Sequence, residues 1–168
     1  MSCIILVGMM GSGKTTVGRA LAALLDVPFK DTDKMLQYKL GRPIHQLFHF
    51  YGEDTFRQHE TRMLQDLEIE DCVLSTGGGT ILREENWTEL RRLGKTVFLD
   101  VDVNVLKKRL ETAKKRRPLL ETAEWKDKVS ELIEERRELY QKSDIHLRLC
   151  AEGPEEVAEL VLQAVQGQ

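Results

Sequence analysis

An α/β fold, a three-layer arrangement with a five-stranded parallel sheet and helices on both faces, is predicted by two observations on the 168-residue chain. Short apolar runs alternate with helical stripes, and the first run feeds directly into a glycine-rich phosphate-binding loop. Strands of a parallel sheet are buried on both faces and read as continuous apolar runs, whereas the covering helices repeat their apolar positions every 3.6 residues. The runs are Cys3 to Val7, Pro28 to Asp31, Cys72 to Ser75, Thr96 to Val101 and Ile145 to Leu149.

The loop is GMMGSGKT, Gly8 to Thr15, which fits GxxxxGK[ST]. Gly8, Gly11 and Gly13 supply backbone angles that residues with a Cβ resist, so that amide N–H groups turn inward. The helix that follows carries Val17, Ala20, Leu21, Leu24 and Leu25 on one stripe. Its N-terminal amides and dipole point at whatever anion the loop holds. A plain glycine-rich turn would have no need of Lys14 and Thr15 at those offsets. In the functional reading Lys14 reaches the β and γ phosphates of a nucleoside triphosphate, and the Thr15 hydroxyl ligates Mg²⁺.

The remaining elements follow in order. Gly41-Arg42-Pro43 breaks the chain before a proline-started helix, and after Gly52 the positions Phe56, Glu60, Met63, Leu64 and Leu67 share a helical face. This is an insertion beside the sheet. The basic run Lys114 to Arg117, ended by Pro118, separates a helix around Val105 to Leu110 from a longer one over Trp125 to Tyr140, and suits a mobile lid. The last helix aligns Val157, Leu160, Val161, Ala164 and Val165. It is expected to pack on the sheet without chemistry.

Length places everything in one domain with a core that needs no staples. A net charge of −3 argues against general nucleic-acid binding. Cys3, Cys72 and Cys150 are odd in number and each lies beside strand-like residues, so all are expected to be buried free thiols in a reducing compartment. No leader or membrane-spanning run is recognisable, and a cytoplasmic location is expected.

Asp31 and Asp33 stand at the end of the second run, where an extended backbone sends both carboxylates to one side and Thr32 to the other. Asp31 suits the water shell of Mg²⁺, and Asp33 suits accepting a proton from an attacking hydroxyl; the competing role for either is a helix cap. Ser75-Thr76 precede Gly77-Gly78-Gly79, a run costly in backbone entropy and expected to let a substrate lie against bare main chain. Either hydroxyl, Ser75 or Thr76, is placed to reach a metal's water. Arg57 in FRQHE and Arg136 in ERRELY sit among apolar helix positions. Clasping a carboxylate or phosphate explains such guanidinium groups better than solvent, and Glu60 is spaced to pin Arg57. Arg117 in the basic run suits the charge of a moving phosphoryl group. His45, His49, His59 and His146 show no ligand spacing, and Trp87 and Trp125 read as structural.

Together GMMGSGKTTVGRALA, Asp31-Thr32-Asp33, FRQHE, Gly77 to Gly79, RPLL from Arg117, and ERRELY resemble the shikimate kinase family over nearly the whole chain. The resemblance implies a P-loop nucleoside monophosphate kinase-like fold with strand order 2-3-1-4-5. It implies one kinase domain over residues 1–168, with a substrate-binding segment over about 33–62 and a lid over about 111–124. It also implies transfer of the ATP γ-phosphate to the 3-hydroxyl of shikimate, in the synthesis of chorismate and aromatic amino acids. By matching positions, Gly11, Ser12, Gly13, Lys14, Thr15 and Thr16 would hold the phosphates, with Mg²⁺ on Thr15 and Asp31. Asp33 would hold the shikimate hydroxyls and act as base. Arg57, Arg136 and Gly77 to Gly79 would bind the acid, with Arg137 as the alternative to Arg136. Arg109 is the candidate beside the adenine, and Arg117 would close over the phosphates. The implied partners are ATP and shikimate, with no nucleic acid or membrane, and a monomer is expected. The rivals are a gluconate kinase-like enzyme and a regulatory module that binds nucleotide without catalysis; retention of both Asp33 and Arg117 speaks against the second.

Overall fold

The computed structural model describes residues 3–113 and 118–167. Five strands form one parallel sheet: β1 (Cys3–Val7), β2 (Phe29–Asp31), β3 (Val73–Ser75), β4 (Gly94–Val101) and β5 (Ile145–Leu149), in the order β2-β3-β1-β4-β5. β1 lies in the middle because all five of its residues are buried, as the apolar run Cys3-Ile4-Ile5-Leu6-Val7 requires of a strand covered on both faces. Its register sets Ile4 beside Val73 of β3 and beside Lys95 of β4. The strand limits match the apolar runs within two residues, β4 beginning earlier because Gly94 already pairs with Cys3.

The helices are α1 (Lys14–Leu25), α2 (Thr32–Leu40), α3 (Ile44–Gln65), α4 (Glu84–Leu93), α5 (Val103–Thr112), α6 (Trp125–Tyr140) and α7 (Pro154–Gln166), with short 3₁₀ turns at Thr80–Leu82 and Pro118–Glu121. α1 and α7 pack together, while α4 lies on β4 and carries α3. Local chemistry sets several starts. Asp102 accepts from the amides of Asn104 at 2.9 Å and Val105 at 3.4 Å and so caps α5, and proline opens α7. Gly52 breaks α3 with φ 75° and ψ 167°, so the two helical stretches foreseen around it are joined by a kink.

The main core runs through the sheet and both sets of helices. Trp87 is wholly buried there with its indole N–H donated to Ile81 O at 2.9 Å, and Tyr140 stacks flat on Phe98 with ring centroids 4.4 Å apart. A second cluster, Leu36, Leu47, Phe56 and Met63, holds α2 against α3 and gives the segment beside the sheet a core of its own. Three expectations need correction. Cys150 is exposed, because it follows the end of β5 rather than continuing it. Leu24 is 52% exposed, because α1 turns Val17, Gly18, Leu21 and Ala22 inward instead. α4 was not foreseen: its sequence EENWTELRRL is dominated by charge, and burial of Trp87, Leu90 and Leu93 settles its place.

Candidate active site

The loops that leave the C-terminal ends of β1, β2 and β3 meet over one cavity of about 800 Å³, where ligands of open parallel sheets collect. The phosphate loop is held from both sides. Gly11 at φ 79° and Gly13 at φ 93° take left-handed angles that other residues resist, and Gly13 caps α1 without a side chain. Lys14 lies over the loop, its Nζ donating to Gly8 O at 2.6 Å, Met9 O at 2.9 Å and Ser12 Oγ at 3.4 Å. Its ammonium and the amides at the start of α1 therefore face the same space. Arg109, in the last turn of α5, donates from Nη1 to Ser12 O at 3.4 Å and Gly11 O at 3.5 Å and forms another wall.

Thr15 donates its hydroxyl to Asp31 Oδ2 at 3.0 Å, and the other oxygen of Asp31 caps α2 by accepting from Lys34 N at 3.2 Å. Asp31 thus fills the cap role weighed against its functional one, while its other oxygen stays engaged with Thr15. Among the described residues no group of three or more His, Cys, Asp or Glu is placed to hold a metal ion. One carboxylate and one hydroxyl suit Mg²⁺, which keeps several waters and takes its other oxygens from phosphates.

Asp33 departs from expectation in its element, since the strand ends at Asp31 and Asp33 already lies in the first turn of α2. Its carboxylate nonetheless reaches the cavity. Thr32, the first residue of α2 and not part of an extended strand, turns its hydroxyl to Gly77 and accepts from its N at 2.8 Å. Thr76 gives its hydroxyl to Leu6 O at 3.0 Å. Ser75 and Thr76 both line the cavity.

Gly77 and Gly79 make room for neighbouring side chains. A Cβ on Gly77 would lie 2.5 Å from Asp33 Oδ1, and one on Gly79 would lie 2.2 Å from both terminal nitrogens of Arg57. On Gly78 it would stand 3.9 Å from Arg136 Nη1. The room foreseen for a substrate is thus occupied first by the carboxylate and the guanidinium that would bind it.

Arg57 is 8% exposed, flanked by the rings of Phe48 and Phe56, each 5.3 Å from its guanidinium carbon. Its Nη1 donates to Glu60 Oε2 at 2.5 Å, the i, i+3 pair foreseen from FRQHE, while Thr80 donates its hydroxyl to Glu60 Oε1 at 3.0 Å. Burial raises the pKa of Glu60 despite the opposing pull of Arg57. Arg136 donates from Nη1 to Gly78 O at 2.9 Å, whereas Arg137 is exposed and paired to Glu134 at 2.6 Å. Of the two, Arg136 faces the glycine loop. Arg57 and Arg136 each retain a buried Nε without an acceptor among the described residues, an arrangement native interiors avoid unless something else accepts. Arg117 lies outside the described residues, with the rest of Lys114 to Arg117.

The cavity has walls that sequence reasoning missed. Leu149, Glu152, Pro154 and Val157 line it from the end of β5 and the start of α7, and Lys34 and Gln37 line it from α2. The last helix was expected to do no more than pack. The available signal was positional, because the loop after β5 also leaves the C-terminal end of a strand.

Comparison with known proteins bears on this geometry. The profile of the family described as "Shikimate kinase" matches residues 10–166. The chain belongs to the shikimate kinase family. The shikimate kinase of Aquifex aeolicus is 41% identical over 165 residues, covering 98% of this chain and 96% of its own. That of Nostoc sp. is 42% identical over 164 residues, covering 95% and 88%. A solved shikimate kinase from Acinetobacter baumannii, in complex with shikimate, superposes with a TM-score of 0.91 at 35% identity over 99% of this chain and 94% of that one. A gluconokinase from Sinorhizobium meliloti superposes with a TM-score of 0.61 at 19% identity over 99% and 92%, a likeness of fold alone. The strand order and the P-loop kinase fold implied by the motifs hold. Shikimate kinases are ATP-dependent phosphotransferases with an alcohol acceptor, and the chain is an enzyme of that kind.

Proposed function

We propose that the chain transfers the γ-phosphoryl group of ATP to the 3-hydroxyl of shikimate, giving shikimate 3-phosphate and ADP on the route to chorismate and the aromatic amino acids. The observation that carries this reading is the convergence of Arg57 and Arg136 on Gly79 and Gly78, directly beside Asp33 and the phosphate loop. An anionic acid is held on one side, a triphosphate on the other, and a carboxylate stands between them.

In this mechanism the amides of Gly11 to Thr16 and Lys14 hold the β and γ phosphates, while Arg57 and Arg136 clasp the shikimate carboxylate in fork geometry. The 3-hydroxyl oxygen attacks the γ-phosphorus in line with the oxygen of ADP; the new P–O bond forms as the old one breaks, and Asp33 accepts the hydroxyl proton. Mg²⁺, when bound at Thr15 and through water at Asp31, would neutralise charge on the phosphate oxygens. Arg109 walls the nucleotide side. Arg117, within a lid over about 111–124, would add positive charge as the lid closes and help exclude water. The segment over about 33–62 would carry the acid. The chain is proposed to act as a cytoplasmic monomer without nucleic-acid partners; among the described residues no helix is long and apolar enough to cross a membrane.

The test is ADP release coupled to a spectrophotometric readout, with shikimate and gluconate offered separately. Turnover with shikimate and little with gluconate is expected, and turnover with gluconate alone would overturn the assignment. In the same assay Asp33→Asn should lower kcat by roughly 10²- to 10⁴-fold while ATP binding persists; near-wild-type turnover would remove Asp33 from the base role.

A further inference from the structure

At the opposite end of the sheet from the phosphate loop, two thiols that sequence reading left apart become neighbours. Ile4 of β1 pairs with Val73 of β3, and Ile4 N donates to Cys72 O at 2.9 Å, so one residue earlier Cys3 stands beside Cys72. Laterally adjacent residues of parallel strands send their side chains to the same face. Neighbouring strands lie about 4.8 Å apart, within the roughly 4.4–6.8 Å between Cα atoms that a disulfide spans. Both thiols line one narrow crevice together with Lys30, Leu67, Glu70 and Leu93. The crevice, of about 10 Å³, has room for a single water-sized molecule.

The charges around the pair are Lys30, ion-paired to Glu70, with Glu68 on the crevice wall and Asp71 beside Cys72. The Cys3 thiol donates to Ile4 O at 3.8 Å, and its interaction with Cys72 lowers the Cys72 pKa, with Lys30 acting in the same direction. Cys3 is pushed up by that same interaction and by burial. Cys72, with the lower pKa of the two, is the better attacking thiol and Cys3 the resolving one.

We propose that Cys3 and Cys72 form a modification site that takes hydrogen peroxide and closes to a reversible disulfide. The crevice is too narrow for a bulky thiol oxidant, which leaves a small one such as hydrogen peroxide. In the first step the Cys72 thiolate attacks one peroxide oxygen, the O–O bond breaks, and the departing hydroxide takes a proton to become water, leaving Cys72 as sulfenic acid. In the second, Cys3 loses its proton and attacks Cys72 Sγ; the S–O bond breaks and a second water leaves. Two thiols and one peroxide become one disulfide and two waters, the thiols giving up two electrons. The bond would tie the base of β1 to the base of β3, the strands whose far ends carry the phosphate loop and Gly77 to Gly79. Cys150, exposed and remote in sequence from both, serves as an internal reference.

The experiment uses the intact wild-type protein, reduced and then exposed to hydrogen peroxide, quenched in acid, denatured, alkylated and digested without reductant for mass spectrometry. The expected result is a peptide pair joining Cys3 to Cys72 that has lost two hydrogens and that dithiothreitol returns to two alkylatable thiols. Recovery of both Cys3 and Cys72 as alkylated thiols while Cys150 is oxidised would overturn the proposal. So would Cys72 carried on to sulfinic acid with Cys3 still alkylatable, since that would mean no second attack. Neither failure touches the kinase reading, which uses none of these atoms.

Discussion

Glycine at positions 77 and 79 is demanded by side chains that come from elsewhere in the chain. Alanine at position 79 would set its Cβ 2.2 Å from the Arg57 guanidinium, the movable end of a long side chain, so the guanidinium must shift while the fold survives. Gly79→Ala should therefore raise KM for shikimate by about tenfold or more with little change in KM for ATP, as steady-state kinetics with each substrate varied would read; equal effects on both would contradict the placement. Glu60 makes a second residue-scale prediction. Its pKa lies above the ordinary 4.5 because burial outweighs its pairing with Arg57. A carboxyl raised in this way holds a proton in the folded chain where the unfolded chain has released it. Its contribution to stability is full below the unfolded value and is lost as pH climbs through the folded one. Thermal melts between about pH 4 and about pH 7 should show wild type losing stability relative to Glu60→Gln as pH rises. Curves that stay parallel would contradict the shift. Asp31 and Asp33 were legible as candidates from their place at a strand end, and Arg57 and Arg136 because guanidinium groups among apolar helix positions need a partner. That Asp33 and Arg57 fill the space beside Gly77 and Gly79 was not legible, since it depends on contacts between β3 and two distant helices.

Among the elements, α3 shows how a helix end is held from outside. Arg92, on α4, donates from Nη2 to Leu64 O at 3.0 Å and Gln65 O at 3.4 Å at the end of α3, and to Leu67 O at 3.1 Å just beyond it. Its Nε also pairs with Glu89 at 2.6 Å. Arg92→Ala should cost about 1 kcal/mol in denaturant unfolding, with kcat unchanged because none of these atoms approaches the cavity. A loss of activity without a loss of stability would contradict that role. Strands were the easiest elements to read, because burial on both faces leaves an uninterrupted apolar run such as Cys3 to Val7. α4 was the hardest, since its buried face amounts to little more than Trp87, Leu90 and Leu93 in a charged sequence. The start of α7 was read as packing alone because Val157, Val161 and their neighbours form a buried stripe, yet Pro154 and Val157 also line the cavity.

At the scale of the molecule, the order β2-β3-β1-β4-β5 places β1 and β3 side by side, so the phosphate loop and the glycine loop open onto the same crevice. No residue pattern dictates that order; it came from the likeness of the motifs to a known family. The small core of Leu36, Leu47, Phe56 and Met63 holds α2 against α3, with Asp33 lining the crevice and Arg57 packed against Gly79, while Arg136 comes from α6 onto Gly78, which lines the crevice. The central claim is that this architecture holds an acid with its alcohol pointed at a terminal phosphate. The most direct measurement is a crystal structure of the protein with shikimate, Mg²⁺ and a non-hydrolysable ATP analogue. The account predicts the carboxylate on Arg57 and Arg136, the 3-hydroxyl within hydrogen-bond reach of Asp33, and its oxygen about 3–3.5 Å from the γ-phosphorus. A carboxylate bound away from both arginines, with the hydroxyl turned from the phosphate, would contradict it.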